Sequence, residues 1–134
     1  MSQNSGDDYI HYRIEKAHES YLSAQILADN RLWSGCSNRL YYACFYVVSA
    51  LLYKNKIVSK THNGTKSQFS RHFISTGIVS RELGELYTEL LDMRQEGDYG
   101  DTFEINEDEI RTLIPEVGTF LQSIEDLLYQ NKEG

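Results

Sequence analysis

The sequence is poor in the residues that cross-link or interrupt a small protein. It contains one proline and two cysteines, and it shows neither sustained apolar–polar alternation nor a hairpin dipeptide between apolar runs. These absences argue against a β-sheet fold. The two cysteines, Cys36 and Cys44, should lie about 12 Å apart along one helix, which is too far for a disulfide. We expect both to be reduced core thiols in a cytoplasmic protein.

Several signatures of known chemistry are also missing. The sequence has no glycine-rich phosphate loop, no Gly-x-Ser-x-Gly elbow and no ligand pair with zinc spacing, so we expect no cofactor and no structural metal. The polar, acidic start shows no signal peptide, and we expect no membrane association. The net charge of −7 argues against indiscriminate nucleic-acid binding, double-stranded DNA included.

What the sequence does contain is one long apolar stretch at residues 37–54, SNRLYYACFYVVSALLYK. This stretch is apolar on nearly every side, which predicts a helix in the middle of a bundle rather than a membrane span. One stripe along it is more polar and consists of Arg39, Tyr42, Tyr46, Ser49 and Tyr53. Buried hydroxyl and guanidinium groups need partners. The stripe therefore predicts a hydrogen-bond network beside a subunit interface, which residue types alone favour, or a pocket or active site.

Apolar residues at three- and four-residue steps predict three further long helices. The first starts near Tyr9, after a disordered tail of residues 1–8, so the predicted domain covers residues 9–131. A short helix over residues 65–75 follows the central helix. Pro115 should kink the last helix without ending it, because the apolar stripe continues in phase across it. The predicted fold is all-α, an up-and-down bundle of four long helices plus one short helix.

Charge is distributed unevenly along the chain. Residues 54–81 contain lysine, arginine and histidine but no acid, whereas residues 82–134 are mostly acidic. This basic belt could attract phosphate or an acidic partner, could pair with the acidic half of the same chain or of a twin subunit, or could be a solvated loop. Within it, His62 is the best candidate for a functional histidine, although histidines in loops usually serve only as polar groups.

A second informative stretch is RQEGDYGD at residues 94–101. It brings Arg94, Asp98, Tyr99 and Asp101 together at the predicted end of a helix. Charged and aromatic residues there could form a binding corner, or they could terminate the helix while the tyrosine fills the core. Taken alone, this stretch favours a helix terminator.

Two stretches together, SNRLYYACFYVVSALL and RQEGDYG, resemble the HEPN superfamily, and THNGTKSQF between them is similar to its short middle helix. The resemblance covers about residues 9–130. It implies a helical bundle that dimerises and is often encoded beside a minimal nucleotidyltransferase. Many members are metal-independent ribonucleases or toxins, in which Arg-x4–6-His motifs of two subunits meet at the dimer cleft. In such a site arginine holds the phosphate and histidine performs acid–base chemistry.

The chain departs from this motif at its histidine. No histidine follows Arg39 or Arg94 at a spacing of four to six residues. Arg13 and His18 have the spacing, but they lie in the first helix, outside the place where the family carries its motif. The ribonuclease site therefore looks incomplete, and the catalytic candidates are Arg39, Arg94 and His62.

Three functional hypotheses follow from the residues and the resemblance. The preferred one is a homodimer that binds a nucleotide, RNA or a nucleotidyltransferase partner at its dimer cleft, with a degenerate ribonuclease site. Its predicted binding residues are Arg39, Tyr42, Tyr46, Arg94, Asp98 and Tyr99. The runner-up is an active metal-independent ribonuclease toxin of a toxin–antitoxin pair, with His62 as an unusual base. The third is a purely structural interaction module whose tyrosine stripe is a buried interface.

Overall fold

The structure, a computed structural model, describes residues 2–99 and 106–130, with the side chains of residues 6–95 and 106–130. These described residues form helices and contain no β-strand, which confirms the predicted all-α bundle. A short π-helix, Ser70–Ile74, directly follows the α-helix that ends at Phe69. The α-helices are α1 Ser2–Asp29, α2 Trp33–Lys54, α3 His62–Phe69, α4 Arg81–Tyr99 and α5 Glu107–Tyr129.

Helix α2 is the central helix, as its apolar composition predicted. It packs against α1, α3, α4 and α5, and Leu40, Cys44 and Val47 on it are fully buried. Both cysteines are free thiols in the core. None of the helices within the described ranges has the length and apolarity needed to cross a membrane.

Helices α1 and α2 both begin earlier than the apolar pattern indicated. Helix α1 starts at Ser2, whereas the pattern predicted a start at Tyr9 after a disordered tail. Residues 2–8 have no apolar residues at helical spacing, so the periodicity could not reveal that they are helical. A helix nucleus that already exists is extended at low cost, which lets such a polar segment continue it. Ser34 is of a residue type that favours helix caps, but it lies inside the first turn of α2, which starts at Trp33 without a side-chain cap.

Helices α4 and α5 both begin at a side-chain cap. The Ser80 hydroxyl accepts a hydrogen bond from the Leu83 amide at 3.3 Å, and the Asn106 side chain accepts one from the Glu109 amide at 3.0 Å. Helix α4 continues to Tyr99, so the helix end that RQEGDYGD suggested near its arginine is wrong. Glycine within a helix costs about 1 kcal/mol, and the glycine in this stretch was therefore a misleading end signal.

Helix α5 runs as one helix across Pro115, as the in-phase stripe predicted, and the kink there stays a prediction. Beside the proline, the Tyr21 hydroxyl on α1 donates a 2.8 Å hydrogen bond to the Ile114 carbonyl. The same hydroxyl lies against Gly118, where a Cβ atom would approach it to 2.8 Å. Glycine at this position lets α1 and α5 come close together.

The two turns that flank α2 each contain a residue with a positive φ angle. The φ angle is 59° at Arg31 and 60° at Lys56. In both turns the amide of the next residue donates to a carbonyl five residues earlier, at 2.8 and 2.9 Å. This is the Schellman pattern, in which glycine usually occupies the left-handed position.

Candidate functional site

Five side chains from α2, α3 and α4 meet at one edge of the bundle, and their centre is the ring of Tyr42. The Arg94 Nε atom donates a 3.2 Å hydrogen bond to the Tyr42 hydroxyl, and the Arg94 guanidinium carbon lies 5.8 Å from the Tyr42 ring centroid. The Arg39 guanidinium carbon lies 5.0 Å from the same centroid. We name this group the Arg94 cluster; its members are Arg39, Tyr41, Tyr42, His62 and Arg94.

Arg39 is held in place by its own helix. Its Nε and Nη2 atoms donate to the Asn38 side-chain oxygen at 3.2 and 2.9 Å, while its guanidinium stacks on Tyr42. No carboxylate in the described part of the chain lies within salt-bridge distance of it. A guanidinium that is oriented but not neutralised is well suited to bind phosphate or carboxylate.

His62 joins the cluster from the first position of α3. The start of this helix is fixed by Thr61, whose hydroxyl accepts a 2.8 Å hydrogen bond from the Gly64 amide. The His62 Nδ1 atom and the Tyr41 hydroxyl share a hydrogen bond of 2.6 Å. In the tautomer whose Nδ1–H donates to the Tyr41 oxygen, Nε2 is unprotonated and can accept a proton. His62 then has the form that acid–base chemistry requires.

Tyr41 is the cluster residue that the sequence did not reveal. It lies outside the polar stripe of the central helix and is fully buried, yet its hydroxyl bonds to His62. Burial raises the pKa of Tyr41 to about 12, so this hydroxyl stays protonated at neutral pH and acts as a hydrogen-bonding group rather than as a base. The usable signal was chemical: a buried tyrosine hydroxyl needs a polar partner.

The predicted polar stripe of α2 divides into two parts. Tyr42 lies in the Arg94 cluster, whereas Tyr46 and Tyr53 face helix α1. The Arg13 guanidinium carbon lies 5.5 Å from the Tyr46 ring centroid, and the rings of Tyr9 and Tyr53 are 4.4 Å apart. Tyr46 still touches the cluster, because its ring lies 6.1 Å from that of Tyr42.

The remaining predicted binding residues are at the end of α4. The Asp98 and Tyr99 side chains, and all of Asp101, lie outside the described residues, so their roles stay predictions. Just before them, the Gln95 amide donates to the Asn63 side-chain oxygen at 3.3 Å. This bond ties α4 to the start of α3 beside His62.

The lysines and arginines of the basic belt do not pair with acids within the described residues, where no salt bridge involves them. Lys54 donates instead to the carbonyl of Leu128. Among the acidic residues that the structure describes, none therefore pairs with the lysines and arginines of the belt. In the same described ranges, no three histidine, cysteine, aspartate or glutamate residues form a group that could hold a metal ion.

Comparisons with known proteins agree with the helical fold. The chain matches the HEPN domain family over residues 10–127, a range that contains the whole Arg94 cluster. It is 36% identical over 125 residues to a UPF0332 protein of Thermotoga maritima, covering 93% of this chain and 95% of that protein. It is 34% identical over 115 residues to a Methanocaldococcus jannaschii protein named "Putative toxin MJ0142", covering 86% of this chain and 78% of that one.

Proposed function

The chain belongs to the HEPN family, and we propose that it is an RNA-binding member of the toxin type. In this proposal the Arg94 cluster holds RNA phosphates in the cleft of a homodimer. The observation that supports it most is the approach of two guanidinium groups, Arg39 and Arg94, to the one ring of Tyr42. Arginine matches the geometry of phosphate oxygens, and tyrosine rings stack on unpaired bases.

The charge of the molecule favours single-stranded RNA over a duplex. A net charge of −7 repels a long polyanion, so binding must come from a small local group of cations. Arg39, Tyr42 and Arg94 are all partly exposed, which leaves both ring and guanidinium surface for a ligand. A splayed single strand can offer a phosphate and a base face together, whereas a duplex hides its base faces.

The toxin assignment is supported by the relatives. Two Methanocaldococcus jannaschii proteins, 34% and 31% identical to this chain, carry names that describe them as toxins. A toxin needs an antitoxin, and the resemblance implies a minimal nucleotidyltransferase in that role. Co-expression of the chain with the neighbouring reading frame, followed by co-purification, tests this partner. A neighbour of unrelated type that binds the chain instead would contradict it.

The dimer is the second part of the proposal. The Arg94 cluster lies at an edge of the bundle with its arginines half-buried, and a second copy would turn this edge into a cleft. Light scattering at micromolar concentration should therefore give twice the mass of the 15.5 kDa chain. A monomer under these conditions would remove the cleft, although a single chain could still bind RNA weakly.

RNA binding is tested with a short unstructured oligoribonucleotide and three arginine variants. Arg94→Ala and Arg39→Ala should each weaken binding about tenfold or more, since a charge-assisted hydrogen bond is worth roughly 1.5–3 kcal/mol. Each should also reduce the salt dependence by about one phosphate contact. Arg111→Ala is the matched control, because this arginine stacks on Trp33 and pairs with Glu107 on α5. Equal loss in all three variants would indicate nonspecific attraction.

A second candidate function, ribonuclease activity without a metal, is favoured by the position of His62 in the cluster. The histidine would move the 2′-hydroxyl proton, while Arg39 and Arg94 would hold the phosphate. The test is cleavage of the same RNA in the presence of a chelator. His62→Gln should abolish cleavage and leave binding nearly intact. Cleavage that survives this variant, or no cleavage at all, would rule out this candidate and leave RNA binding untouched.

If no variant alters RNA binding and no partner protein co-purifies, the remaining hypothesis is that the chain is a structural interaction module. In that case the tyrosine stripe would serve packing alone. Dimer stability would then fall in Tyr42→Ala and Tyr46→Ala, whereas RNA would bind none of the proteins. Measuring mass and RNA affinity on the same samples separates this outcome from the proposed one.

A further inference from the structure

A second cavity lies on the other side of His62. It is bounded by α1, the last turns of α2, the connection at residues 55–61 and the start of α3, and its volume is about 300 Å³. This is near the lower end of the range for small-molecule sites, roughly 300–1,000 Å³. Among the described residues, it shares only His62 with the Arg94 cluster. We name it the basic pocket after its cationic or chargeable residues Arg13, Lys60 and His62.

The charge of the basic pocket is opposite to that of the chain. The chain carries 20 acidic residues against 13 lysines and arginines, yet none of the described residues that line this cavity is acidic. Hydroxyl groups of Tyr9, Ser49 and Thr61 complete its polar wall. A cavity with cations, hydroxyl donors and no carboxylate favours an anionic ligand.

Arg13 is positioned as an anion contact would need to be. Its Nε atom donates a 2.9 Å hydrogen bond to the Tyr9 hydroxyl, and its guanidinium carbon lies 5.1 Å and 5.5 Å from the ring centroids of Tyr9 and Tyr46. No described carboxylate forms a salt bridge with it. The ring contacts fix the guanidinium plane, so little side-chain entropy remains to be lost on binding.

The start of α3 adds a second source of positive potential. Thr61 and His62 line the cavity at the N-terminal end of this helix, where the positive end of the helix dipole favours an anion. Lys60 precedes them on the exposed connection. The arginine on α1, the lysine on the connection and the helix start thus converge on one space from three independent elements.

Another part of the wall is apolar. Leu52, Ile57 and Val58 line the cavity, and they would contact a carbon skeleton rather than water. A bare inorganic ion would leave this surface unused, and 300 Å³ is more room than such an ion fills. The ligand chemistry that fits both parts of the wall is a phosphate group attached to a small organic body.

We propose that the basic pocket is a binding site for a phosphate monoester, with Arg13 as its principal contact. Because His62 lines this pocket and also bonds to Tyr41, an occupant would lie next to the histidine of the Arg94 cluster. The phosphate could belong to a free small molecule or to the end of an RNA chain. The site does not depend on RNA binding at the Arg94 cluster, so either proposal can fail alone.

The test uses phenyl phosphate as the probe and ¹H–¹⁵N NMR as the readout. Titration should shift the Arg13 Nε–H resonance and the amides of Thr61 and His62, with millimolar or tighter affinity. Arg13→Gln should weaken binding about tenfold or more, and Lys60→Gln should weaken it several-fold, since both remove a charged donor. Lys60 is exposed, so its variant stays informative if loss of Arg13 disturbs folding. Arg71→Gln, an exposed cation off the pocket, is the matched control.

A second titration identifies the source of the phosphate. The same short RNA is compared with a 5′-phosphate and with a 5′-hydroxyl. Tighter binding of the phosphorylated RNA that Arg13→Gln and Lys60→Gln abolish would identify an RNA end as the source; equal binding of the two RNAs, with phenyl phosphate still bound, supports a free small molecule. Absence of shifts at Arg13 with every phosphorylated probe, or binding that both variants leave unchanged, would overturn the proposal.

Discussion

Tyr41 and Tyr42 are adjacent in the sequence but lie in opposite surroundings on α2. Tyr41 is on the buried side, where its ring lies 5.8 Å from that of Tyr87. Tyr42 is on the open side, partly exposed between two arginines. The buried tyrosine is enclosed by the core, whereas the open one contacts two arginines in addition to its neighbouring rings. The first should matter to folding and the second to binding.

The contrast extends to the neighbours of each ring. On the buried side the rings of Phe69, Tyr87 and Phe120 pack with centroid distances of 5.5 to 6.1 Å. These rings come from α3, α4 and α5, so they hold the bundle together. On the open side, the Tyr42 ring contacts the guanidinium groups of Arg39 and Arg94. Burying a charged group in a core without a partner costs free energy. One helix therefore supplies both the centre of the core and the wall of the site.

The largest expected effect distinguishes the two tyrosines by stability. Tyr41→Ala should lower the free energy of unfolding by about 3–5 kcal/mol, because removing a buried aromatic ring leaves a cavity. Tyr42→Ala should cost about 1 kcal/mol, since its ring is partly exposed. Urea denaturation followed by circular dichroism measures both. Equal losses for the two variants would break the contrast between the buried and open sides.

A third tyrosine, Tyr21, tests whether a partly exposed side chain can still restrict substitutions at the residue that it contacts. Tyr21 is partly buried, yet its hydroxyl lies 2.8 Å from where a Cβ atom of residue 118 would be. Gly118→Ala should therefore destabilise the protein by about 1–3 kcal/mol through overpacking. Gly6→Ala is the control, because a Cβ atom there would meet the Tyr53 hydroxyl only at 3.6 Å, an ordinary contact. A neutral Gly118→Ala would show that α1 and α5 can separate freely.

Alkaline pH gives a third test, through the raised pKa of Tyr41. An unfolded tyrosine titrates near pH 10, whereas burial raises the pKa of Tyr41 to about 12. The folded state therefore holds this proton more tightly, and the resulting stability is complete below pH 10 and is lost as the pH rises to 12. Tyr41→Phe should cost about 1 kcal/mol at neutral pH from the lost hydrogen bond to His62.

The difference in unfolding free energy between wild type and Tyr41→Phe should shrink between pH 10 and pH 12. Burial raises the pKa of Tyr87 well above its ordinary value as well, and the neighbouring Tyr41 hydroxyl raises it further, so both proteins are compared in a Tyr87→Phe background. Denaturation series at several pH values give the readout. A difference that stays constant over this interval would contradict the pKa shift of Tyr41.

The smallest stability change is expected for Tyr42→Phe. The variant keeps the ring between the arginines and loses only the hydroxyl that accepts from Arg94. The unfolding free energy should change by less than about 1 kcal/mol, whereas RNA affinity should fall several-fold as Arg94 loses its orientation. If Tyr42→Phe lowers the unfolding free energy but leaves RNA affinity unchanged, Tyr42 contributes to folding rather than to binding.

The helices could be predicted from the sequence because each carries an apolar stripe with a helical period. Boundaries were less accurate where no cap marks them: α2 begins at Trp33 without a side-chain cap, and Gly97 lies before the end of α4. The π-helical turn at Ser70–Ile74 has no compositional signature. Such features depend on packing that develops only when the helices are assembled.

The candidate site was predictable in its chemistry but not in its pairings. Arg39, Tyr42 and Arg94 were identified as a group, and the structure places them together. The bond between Tyr41 and His62 depends on how α3 is rotated against α2, and helical periodicity within one segment carries no information on that rotation. The same holds for Arg13: its spacing to His18 lies outside the place of the family's motif, and no pattern in the sequence indicated its contact with Tyr46.

Both turns around α2 use a charged residue in a left-handed conformation, Arg31 and Lys56. A side chain in that conformation costs roughly 1–2 kcal/mol relative to glycine, so the protein retains strain at each end of its central helix. Glycine at either position would relieve this strain without touching the core, the Arg94 cluster or the basic pocket. These turns are the natural starting points for engineering a more heat-resistant form of the molecule.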